Sequence, residues 1–376
     1  PEKLHEIVHE GVIDHVHATW GDDLASELDM VLFAGDLVDN GWATTDWTED
    51  FFPATGDLIA SVPLYPAIGN HEGGSPHYFR YFTLPDDGEN EHYYTIDHSS
   101  LRVISLDSND GAANAAQLAW LDEVLAETCD DETIDYVLAM CHHPHHSELW
   151  TPGESDWVGG VVARLEQFST DCGKPSVHFF GHTHAYSRGQ SRDHRHLMVN
   201  VASSGGALDR WEQQQQENYE EFSVSSDTYG FVVVEVQAGD HPSLTMRRID
   251  RGNPDSPADN ASLDTITLRA DNTPPATPTP TDPGTLTCAA PPTLAASAFS
   301  DPDGDTHQAT HWQIAGTCTD FSAPVAERWR QRHDVYQGTD LQAGDDLTDE
   351  TFDELTSGQD LCFRVRYRDD GLTWSP

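Results

Sequence analysis

The sequence predicts an α/β domain followed by a smaller all-β domain, and three observations carry that expectation. Short apolar runs alternate with segments of helical period over most of residues 1–268. Four of those runs end in clusters of Asp, Asn or His: Gly35-Asp36, Gly69-Asn70-His71-Glu72, Cys141-His142-His143-Pro144 and Gly181-His182-Thr183-His184. After Leu268 the chain turns Pro- and Thr-rich, and beyond that stretch it holds short segments with period-2 patterning.

Each element follows from local pattern. Residues 2–20 place Leu4, Ile7, Val8, Val12, Ile13 and Val16 at helical spacing. Val31-Leu32-Phe33-Ala34 reads as a buried strand that drops into Gly35-Asp36, so its carboxylate arrives at the carboxyl edge where α/β sheets place their sites. A helix is expected within 46–61 and a strand over 63–69. Residues 93–96 and 101–106 form a hairpin pair ending at Asp107. Residues 114–127 make an amphipathic helix with Leu118, Leu121, Val124 and Leu125 inward. The strand 135–140 leads into the histidines, 157–168 is a helix, and 176–180 is the strand before Gly181. Strands 196–201 and 231–236 complete the domain, with strands expected on two packed sheets. The domain spans 1–270, a semi-rigid linker 271–285, and a β-sandwich 286–376 with strands at 294–299, 311–314 and 362–367.

Composition narrows the function. The formal net charge is -46, from 65 acidic against 19 basic residues. Such a surface repels nucleic-acid backbones and anionic membranes, and no apolar run reaches membrane-spanning length. A salt-rich habitat is expected, because a Debye length of about 3 Å at 1 M salt removes the self-repulsion. None of the six cysteines forms a Cys-x-x-Cys pair, which argues against a zinc ribbon or redox motif. Disulfides of an exported protein are expected instead, Cys129 with Cys172 and two of Cys288, Cys318 and Cys362, so the location is secreted or cell-surface. Because the chain opens at Pro1 without Met and stops at Trp374-Ser375-Pro376, both ends are expected to be cut.

Imidazole together with carboxylate or amide oxygen suits Fe, Zn or Mn. One carboxylate, Asp36, can bridge two cations about 3.5–4 Å apart, a spacing that grips a phosphoryl oxygen and acidifies a water. Asn70 offers a neutral oxygen, and His142, His182 and His184 supply imidazoles. On an extended segment His182 and His184 point the same way. Gly35, Gly69 and Gly181 allow tight turns beside these ligands.

These blocks, with Asp39-x-Gly41 after Asp36 and His142-x-Pro144, resemble the calcineurin-like metallophosphoesterases over residues 1–250. Gly69-Asn70-His71-Glu72 and Gly181-His182-Thr183-His184-Ala185-Tyr186 lean towards the purple acid phosphatase branch. The resemblance implies a four-layer sandwich of two β-sheets flanked by helices. It also implies a centre of two divalent or mixed-valence transition metal ions and hydrolysis of small phosphate esters, as a phosphatase or phosphodiesterase. By the same resemblance Asp36 bridges the metals, Asn70, His142 and His182 hold one, and His184 holds the other. His71 becomes the phosphate-facing acid or electrostatic stabiliser, paired with Glu72 or Asp39. His143 falls at the rim and Arg188 is a candidate substrate contact. Two features depart from the family. No Asp-x-His precedes Asp36, for which a missing first strand is the expected cause, leaving the fragment weakly active. The branch's iron-binding Tyr position holds Asp39. The rival reading is a binding or adhesion protein on a phosphatase-like domain that no longer turns over.

The tail resembles a fibronectin type III domain. Ser300-Asp301-Pro302-Asp303-Gly304-Asp305 stands at its B–C turn, Trp312 at its core Trp, and Phe363-Arg364-Val365-Arg366-Tyr367 at its F strand. The Asp cluster is read as a plain turn, and another protein or a cell-surface glycan is the expected partner of this domain.

Overall fold

The computed structural model describes residues 2–86, 91–281, 291–355 and 360–376. The chain forms two compact units, Pro1–Ile266 and Thr267–Pro376. Among the described residues no helix is long and apolar enough to cross a membrane.

The first unit opens with α1 (Glu2–Glu6), which runs through π-helical turns Ile7–Ile13 into α2 (Asp14–Thr19). Its apolar stripe packs Ile7 against Phe231 and Ile249. After α3 (Leu24–Glu27), β1 (Val31–Phe33) pairs in parallel with β2 (Leu64–Pro66), and between them lie π-helical turns Asp46–Phe51 and α4 (Phe52–Ile59). The strand expected over 63–69 is thus confined to its first half. Beyond it the chain bends into the loop carrying Asn70, whose preceding carbonyls, on Ile68 and Gly69, accept from the Asn109 side chain.

Next come α5 (Tyr78–Tyr81), β3 (Tyr94–His98), β4 (Leu101–Ser105), α6 (Ala115–Asp130), β5 (Tyr136–Met140), α7 (Asp156–Cys172), β6 (Ser176–Phe180), β7 (Tyr186–Gln190), β8 (His196–Asn200) and β9 (Phe222–Ser226). Seven of these strands lie in one mixed sheet in the order β9-β7-β8-β6-β5-β4-β3, with β4, β5, β6 and β8 parallel. Strands β5 and β6 are buried along their whole length, as central parallel strands are, which is why β5 is wholly apolar and β6 mostly so, with only Ser176 and His178 polar. Helices α6 and α7 cover one face, packing Leu121, Val161 and Leu165 against Ile104, Val137 and Phe180. Asn114 caps α6 by accepting the Ala116 and Gln117 amides, and Gly173 ends α7 at φ 71°. The disulfide Cys129–Cys172 links the ends of these two helices. A second, antiparallel sheet holds β10 (Tyr229–Gln237), β11 (Ser243–Gly252) and β12 (Pro257–Arg269). The unit is therefore mixed α/β with a large mixed sheet.

The second unit contains β13 (Pro280–Thr281), β14 (Thr293–Ala296), β15 (His307–Ala315), β16 (Ala326–Gln331), a hairpin of β17 (Val335–Tyr336) and β18 (Thr339–Asp340), β19 (Asp349–Thr351) and β20 (Cys362–Asp369). Two three-stranded sheets, β13-β14-β19 and β16-β15-β20, enclose Leu294, Trp312, Ile314, Val365 and Tyr367. Pro280 and Thr281, within the expected linker, hydrogen-bond to β14 as β13. Cys318 pairs with Cys362, while Cys288 lies outside the described residues.

Candidate metal centre

The centre is built where strands end. Beyond β1 the chain turns through Gly35 at φ 86° and Asp36 at φ 54°, a left-handed pair that ordinary side chains resist. A Cβ on Gly35 would sit 2.7 Å from His142 Nδ1, and one on Gly69 would collide with Asp36. Both glycines are required by close approach.

Glu72 holds this turn from below. Fully buried, its carboxylate accepts four backbone amides, from Asp36 and Gly69 at 2.9 Å, Leu37 at 2.9 Å and Val38 at 3.3 Å. Burial, and then the Asp36 charge, push its carboxyl upward. Glu72 therefore serves the backbone, and the partner of His71 is Asp39. His71 Nδ1 lies 2.5 Å from the Asp39 carbonyl and 3.7 Å from its carboxylate. The other ring nitrogen of His71 faces Asp36 Oδ2 at 3.8 Å.

Asp36 Oδ1 accepts the His71 amide at 2.9 Å, and Oδ2 lies 3.0 Å from His142 Nε2. Burial would raise this carboxyl, but the hydrogen bond and charge of His142, aided by His71, hold it down to about 2. His142 follows β5 and is buried, with Nδ1 2.8 Å from the Ala34 carbonyl. That acceptor takes the Nδ1 proton, so in the neutral ring the Nε2 lone pair points at Asn70 Oδ1, 2.9 Å away, and at Asp36 Oδ2. In the neutral ring three electron-rich atoms converge on one point, an arrangement that suits a cation. The residues present fit a metal.

His182 follows β6 with φ 66°, and its ring lies 5.1 Å from that of His142. Ligating atoms of Asp36, His142 and His182 all lie within 4.8 Å of one another. Burial, then the neighbouring His142 and His143, depress His182 to about 3, so its imidazole is neutral, the form a metal takes. His184 stands outside that tight set. Its amide donates to Asp209 at 2.7 Å and its Nδ1 to the Ala207 carbonyl at 2.6 Å, which leaves Nε2 as the nitrogen that could ligate.

His143 packs its ring 4.5 Å from His182 and bonds Ser108 Oγ at 2.8 Å. Arg188 does not join the cluster. It is buried on β7 and ion-paired with Asp264 at 2.5 Å, so the expected substrate contact is replaced by a structural pair. Cys141, a buried thiol pushed up to about 12 by burial, is no nucleophile. Ser108, Asn109, Asp209 and Trp150, whose ring lies 5.2 Å from that of His182, escaped sequence reasoning. The strand ending at Asp107 could have led to the first two.

Residues 4–186 match the family model for calcineurin-like phosphoesterase. A probable cyclic nucleotide phosphodiesterase of Fibrobacter succinogenes is 32% identical over 126 residues, 33% of this chain and 45% of that protein. A probable glycerophosphodiester phosphodiesterase of Arcobacter nitrofigilis is 30% identical over 129 residues, 33% of this chain and 44% of that protein. The chain thus spans under half the length of these curated relatives. The solved purple acid phosphatase from yellow lupin (Lupinus luteus) seeds shares the fold, with a TM-score of 0.53 at 17% identity, over 71% of this chain and 49% of the other.

Proposed function

We propose, on the premise that this chain carries a calcineurin-like phosphoesterase domain, that it hydrolyses phosphate esters with two transition metal ions. The observation that carries this reading is the convergence of Asp36, Asn70, His142 and His182 on one point. Asn70, His142 and His182 would hold one ion, His184 the other, and Asp36 both. Bound there, Fe, Zn or Mn would polarise the phosphoryl oxygens and lower the pKa of water.

The chain's own groups do the rest. With Nδ1–H donated to the Asp39 carbonyl, His71 presents Nε2 beside Asp36 at the exposed lip of the site. In its protonated form it stabilises phosphoryl charge and delivers a proton to the leaving oxygen. Water adds hydroxide to phosphorus, the P–O ester bond breaks, and the departing oxygen leaves as an alcohol. Both curated relatives are named as probable phosphodiesterases, which favours a diester substrate here. An exported, salt-adapted setting accords with the charge of -46 and the two disulfides. The second unit is then an accessory module, of fibronectin type III type, for a protein or glycan partner.

The test uses metal-stripped full chain given Zn, Mn or Fe, with a bis-aryl phosphate and an aryl phosphate as substrates. Metal-restored hydrolysis that falls at least a hundredfold in Asn70→Ala and His71→Ala is expected. Failure of every metal to restore hydrolysis would overturn the catalytic reading in favour of a binding protein.

A further inference from the structure

We propose that the second unit carries its own divalent-cation site, of the hard, oxygen-liganded kind that takes Ca2+, formed by Asp301, Asp303 and Asp305. One carboxylate oxygen from each lies within 4.8 Å of the others. Two oxygens bound to one Ca2+ at about 2.4 Å are at most about 4.8 Å apart, so the three meet the pairwise spacing that one shared ion requires. An all-oxygen donor set disfavours the softer metals suited to the histidine centre.

Acidic clusters are commonplace on a chain of this charge, and clustering by itself would carry nothing. What separates this one is burial without partners. The Asp305 side chain is 3% exposed, and its Oδ1 pairs with Arg269 while its Oδ2, also buried, meets no hydrogen-bond donor among the described residues. Asp301 Oδ2 is likewise buried without a donor, although its Oδ1 accepts the amides of Asp303 and Asp305 at 2.7 and 3.1 Å. Buried anionic oxygens are strongly disfavoured unless a cation or donor meets them. Around them Asp369 is fully buried, and Asp370 accepts the Thr306 amide at 3.2 Å, adding two further carboxylates nearby. Arg269 is bonded through one guanidinium nitrogen to one oxygen of Asp305. The guanidinium of Arg269 brings one positive charge to the three clustered carboxylates.

Calorimetric titration of chelator-stripped full chain with CaCl2 tests this, in about 0.5 M NaCl to screen diffuse binding. The expected result is one saturable Ca2+ per chain, with Kd on the order of 10⁻⁴ M. Asp303→Asn and Asp305→Asn should each weaken it at least tenfold, while Asn70→Ala in the first unit leaves it unchanged. Asp303 is exposed, so its variant decides the matter if Asp305→Asn does not fold. No saturable binding by the unsubstituted chain, or binding undiminished in Asp303→Asn, would overturn the proposal. Loss in Asn70→Ala would place the ion at the first unit instead and overturn it equally.

Discussion

Replacing Glu72 by Gln should loosen the turn on which the candidate centre depends. Oε1 of Glu72 takes the Leu37 and Val38 amides, and Oε2 takes those of Asp36 and Gly69. A Gln has one carbonyl oxygen, so in either orientation its NH2 faces two backbone N–H groups and leaves both without an acceptor. Each orphaned amide costs about 1–3 kcal/mol. Against this, the substitution removes a buried negative charge that lies close to Asp36, and that relief offsets part of the loss. We expect a net destabilisation of about 2–4 kcal/mol. The Asp36 displacement should also cost hydrolysis about 10²-fold, as ångström-scale misplacement of a reacting group does. Urea unfolding of the first unit, metal content after dialysis and bis-aryl phosphate turnover should move together. A variant within about 0.5 kcal/mol of the parent, with equal metal content, would refute the role assigned to Glu72.

Two further outcomes are expected. His178 is buried on β6, with Nδ1 unpartnered among the described residues and Nε2 3.2 Å from Cys141 Sγ, and burial, then the charge of His145, lowers its pKa to about 3. The unfolded imidazole binds its proton below about 6.5, so the stability it confers is complete above that pH and is lost as pH falls towards 3, by up to about 1.4 kcal/mol per pH unit. His178→Leu should flatten the dependence of the unfolding midpoint between pH 6.5 and 4, and parallel curves for the two proteins would contradict it. Salt should act on the charge of -46: from about 0.05 M to ~3 M NaCl both the thermal midpoint and the specificity constant should rise, and a steady fall in both would end the salt-adapted reading.

Much of the candidate centre was legible because Asp36, Asn70 and His182 each follow an apolar run and a glycine, and His142 follows an apolar run ending in Cys141. Buried parallel strands must be apolar on both faces, so β5 and β6 announced themselves, and His142 and His182 came with them. Side-chain direction was not legible. Glu72 and Asp39 were equal candidates for His71 on sequence. The choice rests on four backbone amides that turn towards Glu72 only once Gly69 lies against the Asp36 turn. Arg188 misled for a related reason. Strand β7 is polar yet buried, because Arg188 pairs with Asp264 and Tyr186 bonds the same carboxylate at 2.8 Å, 76 and 78 residues away. No local period reports such a pairing. The helix before β1 was placed correctly by its apolar stripe, but its π-helical turns carry no comparable signal.

The backbone at the centre also explains why Glu72 should matter more than its distance from the chemistry suggests. Asp36 and His182 both hold left-handed φ angles without being glycine, at about 1 kcal/mol or more each. Such conformations persist only where surrounding bonds over-determine them. For Asp36 those bonds are the Glu72 carboxylate beneath its amide and the His71 amide on its own carboxylate. For His182 the restraint is its neighbours, since the Gly181 amide donates to the His142 carbonyl at 2.8 Å and Asn200 holds the Thr183 carbonyl at 2.8 Å. The two strained residues are thus tied through separate hydrogen bonds to the loops bearing Asn70 and His142. These hydrogen bonds hold the backbone beneath the candidate ligands, so part of the entropy of assembling any cation site here would be met in folding rather than in binding.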